Sequence, residues 1–285
     1  MYTVPDTVGV IGGGRMGAGI AQVFATAGAQ VTVIERDAEA AGFALERVRD
    51  GVAKAAARTE GIEPETVLGR LTVSTDFSKL ARSQLVIEAV PEVVSIKTDA
   101  LARAEHYLAP NAWLTTNTSS LSVSGLAELL ARPERFCGLH FFNPVPPSAL
   151  VEVIVTDVTS DELRKQACSW VTALAKTPIV VADAPGFASS RLGLVIALEA
   201  MRMVEEGVAS AADIDTAMEL GYRHATGPLR TSDLVGLDVR LGIAEYLERT
   251  LGERFRAPKI LRDMVAAGNL GRKTGRGFFD YAASA

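Results

Sequence analysis

Three glycines, Gly12, Gly14 and Gly17, stand at G-x-G-x-x-G spacing in the segment VGVIGGGRMG, and their context restricts the fold more than any other feature of the chain. An apolar run at residues 8–11 precedes them and a helix-like stretch at 18–27 follows, so the segment reads as strand, tight turn and helix. Gly12 permits the turn, Gly14 lets the backbone approach a pyrophosphate, and Gly17 lets the helix pack close to the strand. Free N–H groups and the helix dipole favour negative charge at this point. Gly12, Gly14, Arg15, Met16 and Gly17 are therefore the candidate cofactor-binding turn. A second apolar run, 30–34, ends at Glu35, about 20 residues past the glycines, where a carboxylate can hydrogen-bond a ribose diol. Glu35 would repel a 2′-phosphate and favours NAD over NADP, while Arg36 beside it argues the other way. Flavin-binding proteins share the fingerprint, so the turn alone does not name the cofactor.

Apolar runs of β type recur at 8–11, 31–34, 71–74, 85–88, 113–116, 136–139, 150–154 and 179–182, with helix-like segments between the earlier ones. That alternation predicts an α/β, doubly wound, Rossmann-like sheet. After Asp183-Ala184-Pro185-Gly186 the β-type runs stop, and the remainder reads as amphipathic helices at 187–206, 211–220, 231–251 and 257–267. Ser210 with Asp213, and Thr231 or Ser232 with the apolar run that follows, look like helix starts. The expected organisation is a Rossmann-like domain at 1–184 and an all-α domain at 185–285. A chain of 285 residues, 48% of them apolar, can supply both cores.

The net charge of −5, with no basic stripe, argues against a nucleic-acid partner. Cys137 and Cys168 have neither metal-ligand nor disulfide-framework spacing, which fits a reducing compartment and small buried hydrophobes. The N-terminal residues lack the pattern of a secretory signal, and no apolar run approaches the roughly 18 residues of a membrane span. A cytoplasmic protein without a metal or a membrane partner is expected.

His140 is one of only three histidines; it follows an apolar run and precedes Phe-Phe-Asn-Pro, which puts it at the carboxyl edge of the sheet, where doubly wound folds bind ligands. Glu152, twelve residues on, interrupts the apolar run of Leu150, Val151, Val153 and Ile154, so its charge needs a partner. A carboxylate that holds an imidazole in one tautomer and stabilises its cation improves it as a base. Ser119 lies in the Asn-Thr-Ser-Ser turn after the run at 113–116, where Ser120 or Ser122 could equally cap the next helix. The helical stretch 40–57 and the residue after it carry Arg47, Arg49, Lys54 and Arg58, either as a solvated face or as a patch for phosphates.

Seven segments in order, 8–17, 87–97 (IEAVPEVVSIK), 117–121 (NTSSL), 140–144 (HFFNP), 150–153 (LVEV), 185–191 (PGFASSR) and 271–279 (GRKTGRGFF), resemble the 3-hydroxyacyl-CoA dehydrogenase family, most closely its 3-hydroxybutyryl-CoA members. The resemblance runs from residue 8 to residue 281. It implies NAD-dependent interconversion of a short-chain 3-hydroxyacyl-CoA and its 3-keto form, with His140 and Glu152 as the catalytic pair. It further implies that Ser119 touches the substrate oxygen or the nicotinamide ribose, and that Asn143, Glu92, Lys97 and Lys273 contact the cofactor. Lys54 and Arg58 fall near the family's CoA-contacting helix. Much of the family reads Pro-Gly-Phe-x-x-Asn-Arg, and this chain has Ser190 where the catalytic Asn is expected. The family is dimeric through its C-terminal region, which predicts a homodimer using apolar faces such as Leu192, Leu194, Val195, Leu198, Met201 and Met203. The alternatives are the same chemistry on a hydroxy acid without CoA or on a carrier-bound group, and an NAD-binding protein without turnover.

Overall fold

The structure is a computed structural model, and it describes residues 2–281; Met1 and residues 282–285, the end of the expected helical domain, lie outside the described residues. The chain divides into two compact units between Ala184 and Pro185.

The first unit is built on eight strands: β1 (Thr7–Ile11), β2 (Gln30–Ile34), β3 (Leu71–Ser74), β4 (Leu85–Glu88), β5 (Trp113–Thr116), β6 (Phe136–Phe141), β7 (Leu150–Val155) and β8 (Thr177–Ala182). Their order across the sheet is β3-β2-β1-β4-β5-β6-β7-β8. From β3 to β6 every pairing is parallel; β7 runs antiparallel to β6, and β8 is parallel to β7. Because β1 lies between β2 and β4, the connections diverge there and open a crevice at the carboxyl ends, the usual ligand position of an open α/β sheet. β4, β5 and β6 are buried along their whole length, as expected of strands covered on both faces. The covering helices are α1 (Arg15–Thr26), α2 (Ala38–Ala56), α3 (Pro64–Leu68), α4 (Val94–Tyr107), α5 (Val123–Ala127) and α6 (Asp161–Ala173). Asp37 caps α2 by accepting the Ala40 N–H at 2.7 Å, and Ser122 caps α5 through the Gly125 N–H at 3.1 Å.

β6 runs past the expected residue 139 to Phe141, because the antiparallel ladder with β7 continues through Phe141↔Val151. His140 therefore sits within the strand. Cys137 is fully buried on β6, where desolvation pushes its thiol pKa up.

The second unit is helical: α7 (Ser189–Glu205), α8 (Ala211–Thr216), α9 (Pro228–Val235), α10 (Leu237–Leu251) and α11 (Lys259–Ala266). The single helix expected over 231–251 is two helices divided at Gly236, whose φ of 106° belongs to glycine. Neither Thr231 nor Ser232 starts a helix. α9 begins at Pro228, and Asp215 accepts the backbone N–H groups of Leu229 and Arg230 at 2.8 Å each, while the Ser232 hydroxyl donates to the Pro228 carbonyl inside the helix. Ser210 does cap α8, accepting the Asp213 N–H.

Helical periodicity also divides the apolar face expected to form a dimer. Leu194, Leu198 and Met201 follow an i, i+4, i+7 spacing into the unit's own core with Leu237, Leu247 and Leu261, whereas Leu192 and Val195 face outward. Among the described residues, no helix is long and apolar enough to cross a membrane.

Candidate active site

His140 and Glu152 are direct partners in the β6–β7 register, and the His140 Nδ1 lies 2.7 Å from Glu152 Oε2. Neither side chain is more than 9% exposed. Two neighbours on one face of an antiparallel pair are close by construction, so the register brings these side chains together. A buried carboxylate at this distance accepts the Nδ1–H, which puts the lone pair on Nε2. Phe142 packs against the imidazole with ring centroids 4.6 Å apart. Asn117, just beyond β5, accepts the Phe141 backbone N–H at 2.9 Å and ties the histidine's end of β6 to its neighbouring strand.

The Thr118-Ser119-Ser120 turn is organised by Glu92. Its Oε1 accepts from Thr118 Oγ1 at 2.6 Å, Ser119 N at 2.8 Å and Ser120 N at 2.9 Å, with the Ser119 and Ser120 hydroxyls at 3.3 and 3.0 Å. Its Oε2 lies 3.2 Å from Lys97 Nζ. Burial alone would raise the Glu92 pKa, but the Lys97 charge and the bonds from Thr118 and Ser119 outweigh it and lower it to about 2.

Lys97 does not offer its ammonium outward. Its side chain is 1% exposed, and its protons go to Glu88 at 2.8 Å, the Val90 carbonyl at 3.3 Å and Glu92. A charge so deeply desolvated holds its partners instead of reaching for a ligand, so Lys97 supports the Ser119 turn from beneath.

At the glycine turn, Gly12 has φ 92°, and a Cβ there would stand 2.8 Å from the Ala89 carbonyl oxygen. A Cβ on Gly17 would collide with the Gly12 carbonyl, which is why α1 can follow the strand so closely. Around Gly14 the outcome is opposite: nothing lies within 4 Å of an added Cβ. Gly14 is also the N-cap of the 12-residue α1 and supplies no side-chain cap. Open space beside uncapped N–H donors fits a pyrophosphate, so the residues suit a dinucleotide. Arg15 and Met16 form the first turn of α1, Arg15 exposed and Met16 packed on the core. Glu35 directly follows β2 and draws the turn in, accepting the Gly13 N–H at 2.6 Å.

A cleft of about 600 Å³ opens beside this turn, lined by Arg15, Arg47, Lys54, Arg58, Asn143 and Pro144 among others, with Asp50 its one acid. It gathers residues that sequence reasoning had assigned separately to cofactor and substrate. One wall is the loop at 143–147, whose Asn143–Pro144 peptide is cis. Lys176, buried immediately before β8, fastens that loop by donating to the carbonyls of Val145 at 2.8 Å, Pro146 at 3.2 Å and Ser148. Burial holds the Lys176 pKa below its ordinary value.

The other two expected site residues belong to the second unit. Ser190 is the second residue of α7, and Lys273 grips both oxygens of Asp238 at 2.6 and 2.7 Å.

Glu88 and Lys176 were not singled out from sequence. Glu88 had a signal, a carboxylate closing the apolar run LVIE; a lysine just ahead of a strand gives almost none.

Comparison with known proteins bears on the chain as a whole. The family profile described as "3-hydroxyacyl-CoA dehydrogenase, NAD binding domain" matches residues 7–184, and "3-hydroxyacyl-CoA dehydrogenase, C-terminal domain" matches 186–281. A probable 3-hydroxybutyryl-CoA dehydrogenase of Deinococcus radiodurans is 42% identical over 275 residues, covering 96% of this chain and 99% of that protein. The crystal structure of Mycobacterium tuberculosis FadB2 superposes with a TM-score of 0.91 at 39% identity, covering 98% of this chain and 99% of the other. That of (S)-3-hydroxybutyryl-CoA dehydrogenase PaaH1 from Ralstonia eutropha gives 0.92 at 37% identity, covering 97% and 99%.

Proposed function

Because the chain belongs to the 3-hydroxyacyl-CoA dehydrogenase family, we propose that His140, oriented by Glu152, is the acid and base in its interconversion of a short-chain 3-hydroxyacyl-CoA and the 3-oxoacyl-CoA. The chain is an NAD-dependent oxidoreductase acting on CH–OH. When bound, the nicotinamide cofactor would supply the hydride acceptor as NAD in the oxidation and the hydride donor as NADH in the reduction.

The observation that carries the assignment is the 2.7 Å contact between His140 Nδ1 and Glu152 Oε2 at the carboxyl edge of the sheet. In the oxidation, His140 Nε2 takes the proton of the 3-hydroxyl group, and the cation this creates faces the Glu152 carboxylate. In the reduction, Nε2 returns that proton to the new alkoxide oxygen. The Ser119 hydroxyl, held on its turn by Glu92, hydrogen-bonds the substrate oxygen or the ribose. Ser190 takes the place of the family's amide and donates from a shorter side chain; loss of a comparable amide donor costs ~10²–10³ in rate, so the serine hydroxyl is a working substitute rather than an equal one.

The proposed cofactor-binding residues are Gly12, Gly14, Arg15, Met16 and Gly17 at the pyrophosphate, Glu35 at the adenosine ribose and Glu92 toward the nicotinamide, with Lys97 acting through Glu92 and with Ser119, Asn143 and Lys273 as further cofactor contacts. The cleft with Arg15, Arg47, Lys54 and Arg58 supports an anionic handle such as CoA. The exposed apolar residues Leu192, Val195, Leu220 and Tyr222 support a homodimer through the C-terminal helices. The working compartment is the cytoplasm.

The test is oxidation of NADH followed at 340 nm with acetoacetyl-CoA, beside free acetoacetate and NADPH. Turnover that requires the thioester and prefers NADH is the expected result. Binding of NADH without turnover overturns the assignment.

A further inference from the structure

Lys176 is 7% exposed, and among the described residues its ammonium meets no carboxylate: its protons go to the main-chain oxygens of Val145, Pro146 and Ser148. An ammonium has three donors and no acceptor, so three carbonyls occupy it completely. Keeping a charge in this place is costly, and burial holds its pKa below the ordinary lysine value with no anion acting against the shift. What the charge secures is the path of the loop.

That loop walls the basic cleft of the first unit. Pro144, Pro146 and Pro147 have no N–H, and the carbonyls of residues 145, 146 and 148 face the buried Lys176 nitrogen, so the wall keeps these donors and acceptors out of the cleft. The charge in the cleft is left to Arg15, Arg47, Lys54 and Arg58, with Asp50 the one acid.

α1 fixes the loop from a second direction. Gly19 lies inside α1, where alanine is the better helix former, yet a Cβ there would stand 2.8 Å from Val145 Cβ and 3.1 Å from its Cγ2. Val145, 2% exposed, is thus seated against bare helix backbone. Lys176 and Gly19 hold the same residue, one by its carbonyl and the other by its side chain.

We infer that Lys176 is a positioning residue for the anionic handle: by gathering the electronegative oxygens of the wall onto one buried ammonium, it sets the affinity of the cleft for the phosphates of coenzyme A. The inference rests on the CoA reading of that cleft. Freed from Lys176, three oxygens without donors would have to reach water, and the loop borders water at the cleft. Their partial negative charge would then oppose a phosphate held by the neighbouring cations. The effect of Lys176 therefore belongs to affinity and not to the chemical step.

The test is calorimetric titration with coenzyme A, beside the 340 nm assay with acetoacetyl-CoA and with acetoacetyl-pantetheine, which has no phosphate. The wild-type protein is expected to bind one coenzyme A per chain. Lys176→Met should weaken that binding about twofold to thirtyfold, the span seen for residues that act on a site without touching its ligand, and raise the KM for acetoacetyl-CoA to match. The KM for acetoacetyl-pantetheine, the affinity for NADH and kcat should stay near wild type. Lys176→Arg, which keeps the charge and the donors, should recover most of the loss. Gly19→Ala, which pushes Val145 off α1, should also weaken coenzyme A binding, and it decides if Lys176→Met does not fold. Unchanged coenzyme A affinity in Lys176→Met or, where that variant does not fold, in Gly19→Ala overturns the inference. So does a KM raised equally for both thioesters by Lys176→Met. A wild-type protein that binds NADH and no coenzyme A overturns the CoA reading itself, whereas coenzyme A binding that the variants leave unmoved overturns only the role of Lys176.

Discussion

Lys97 and Glu88 form an ion pair of 2.8 Å in which neither side chain is more than 1% exposed. Glu88 is further satisfied by the Val90 N–H and the Thr116 hydroxyl, so the pair is fully enclosed in hydrogen bonds. Lys97→Met should therefore destabilise the protein by about 3–5 kcal/mol, because it leaves a buried carboxylate without its cation. The double variant Glu88→Gln with Lys97→Met should recover most of that loss. Urea unfolding measures both, and a single variant within about 1 kcal/mol of wild type would contradict the account.

Acid should weaken the fold through Glu92. Its folded-state pKa, about 2, lies below the ordinary 4.5. The stabilisation is thus complete above pH 4.5 and fades as pH falls from about 4.5 toward 2, where the carboxylate protonates in the folded state as well. Urea midpoints measured from pH 6 down to pH 2.5 should fall for the wild type. Glu92→Gln should start lower and show a shallower fall over the same window; parallel curves would remove Glu92 as the cause.

His140→Asn should lower kcat by about 10²–10⁴, the usual worth of a positioned acid or base, with little change in NADH affinity. Glu152→Gln should lower kcat as well, since an amide can donate to Nδ1 and stabilise the wrong tautomer. Fluorescence titration with NADH beside the 340 nm assay separates turnover from binding. Near-normal turnover of either variant would detach that residue from the chemistry.

Lys54→Ala with Arg58→Ala should raise the KM for acetoacetyl-CoA about tenfold at low salt, through the lost attraction to phosphate. The penalty should shrink at high ionic strength, which screens such exposed charges, and shrink again for acetoacetyl-pantetheine, which has no phosphate. A rise equal for both thioesters would assign the cleft to something other than the CoA phosphates.

Local features made the dinucleotide turn and the His140–Glu152 pair legible. The glycine spacing is confined to six residues, and the run around Glu152 announces a buried charge because its neighbours are apolar. Burial decided by distant elements was not legible. Lys97 and Lys176 read as ordinary cations until the fold wraps them, and residues that follow a helical pattern through Gly236 conceal a break that depends on one backbone angle. Leu194 and Leu192 are both apolar, and only the rotation of α7 assigns one to its own core and the other to the surface.

The reversal of chain direction between β6 and β7 makes activity hostage to sheet alignment. Strand side chains alternate between faces, so a shift of β7 by one residue would send Glu152 to the opposite side of the sheet from His140 while keeping the same number of backbone bonds. A misthreaded edge would look folded by circular dichroism and yet hold no working base. If the proposed chemistry holds, the His140–Glu152 pair is in that sense a proofreading mark: turnover reports that this edge of the sheet has closed in the one alignment that counts.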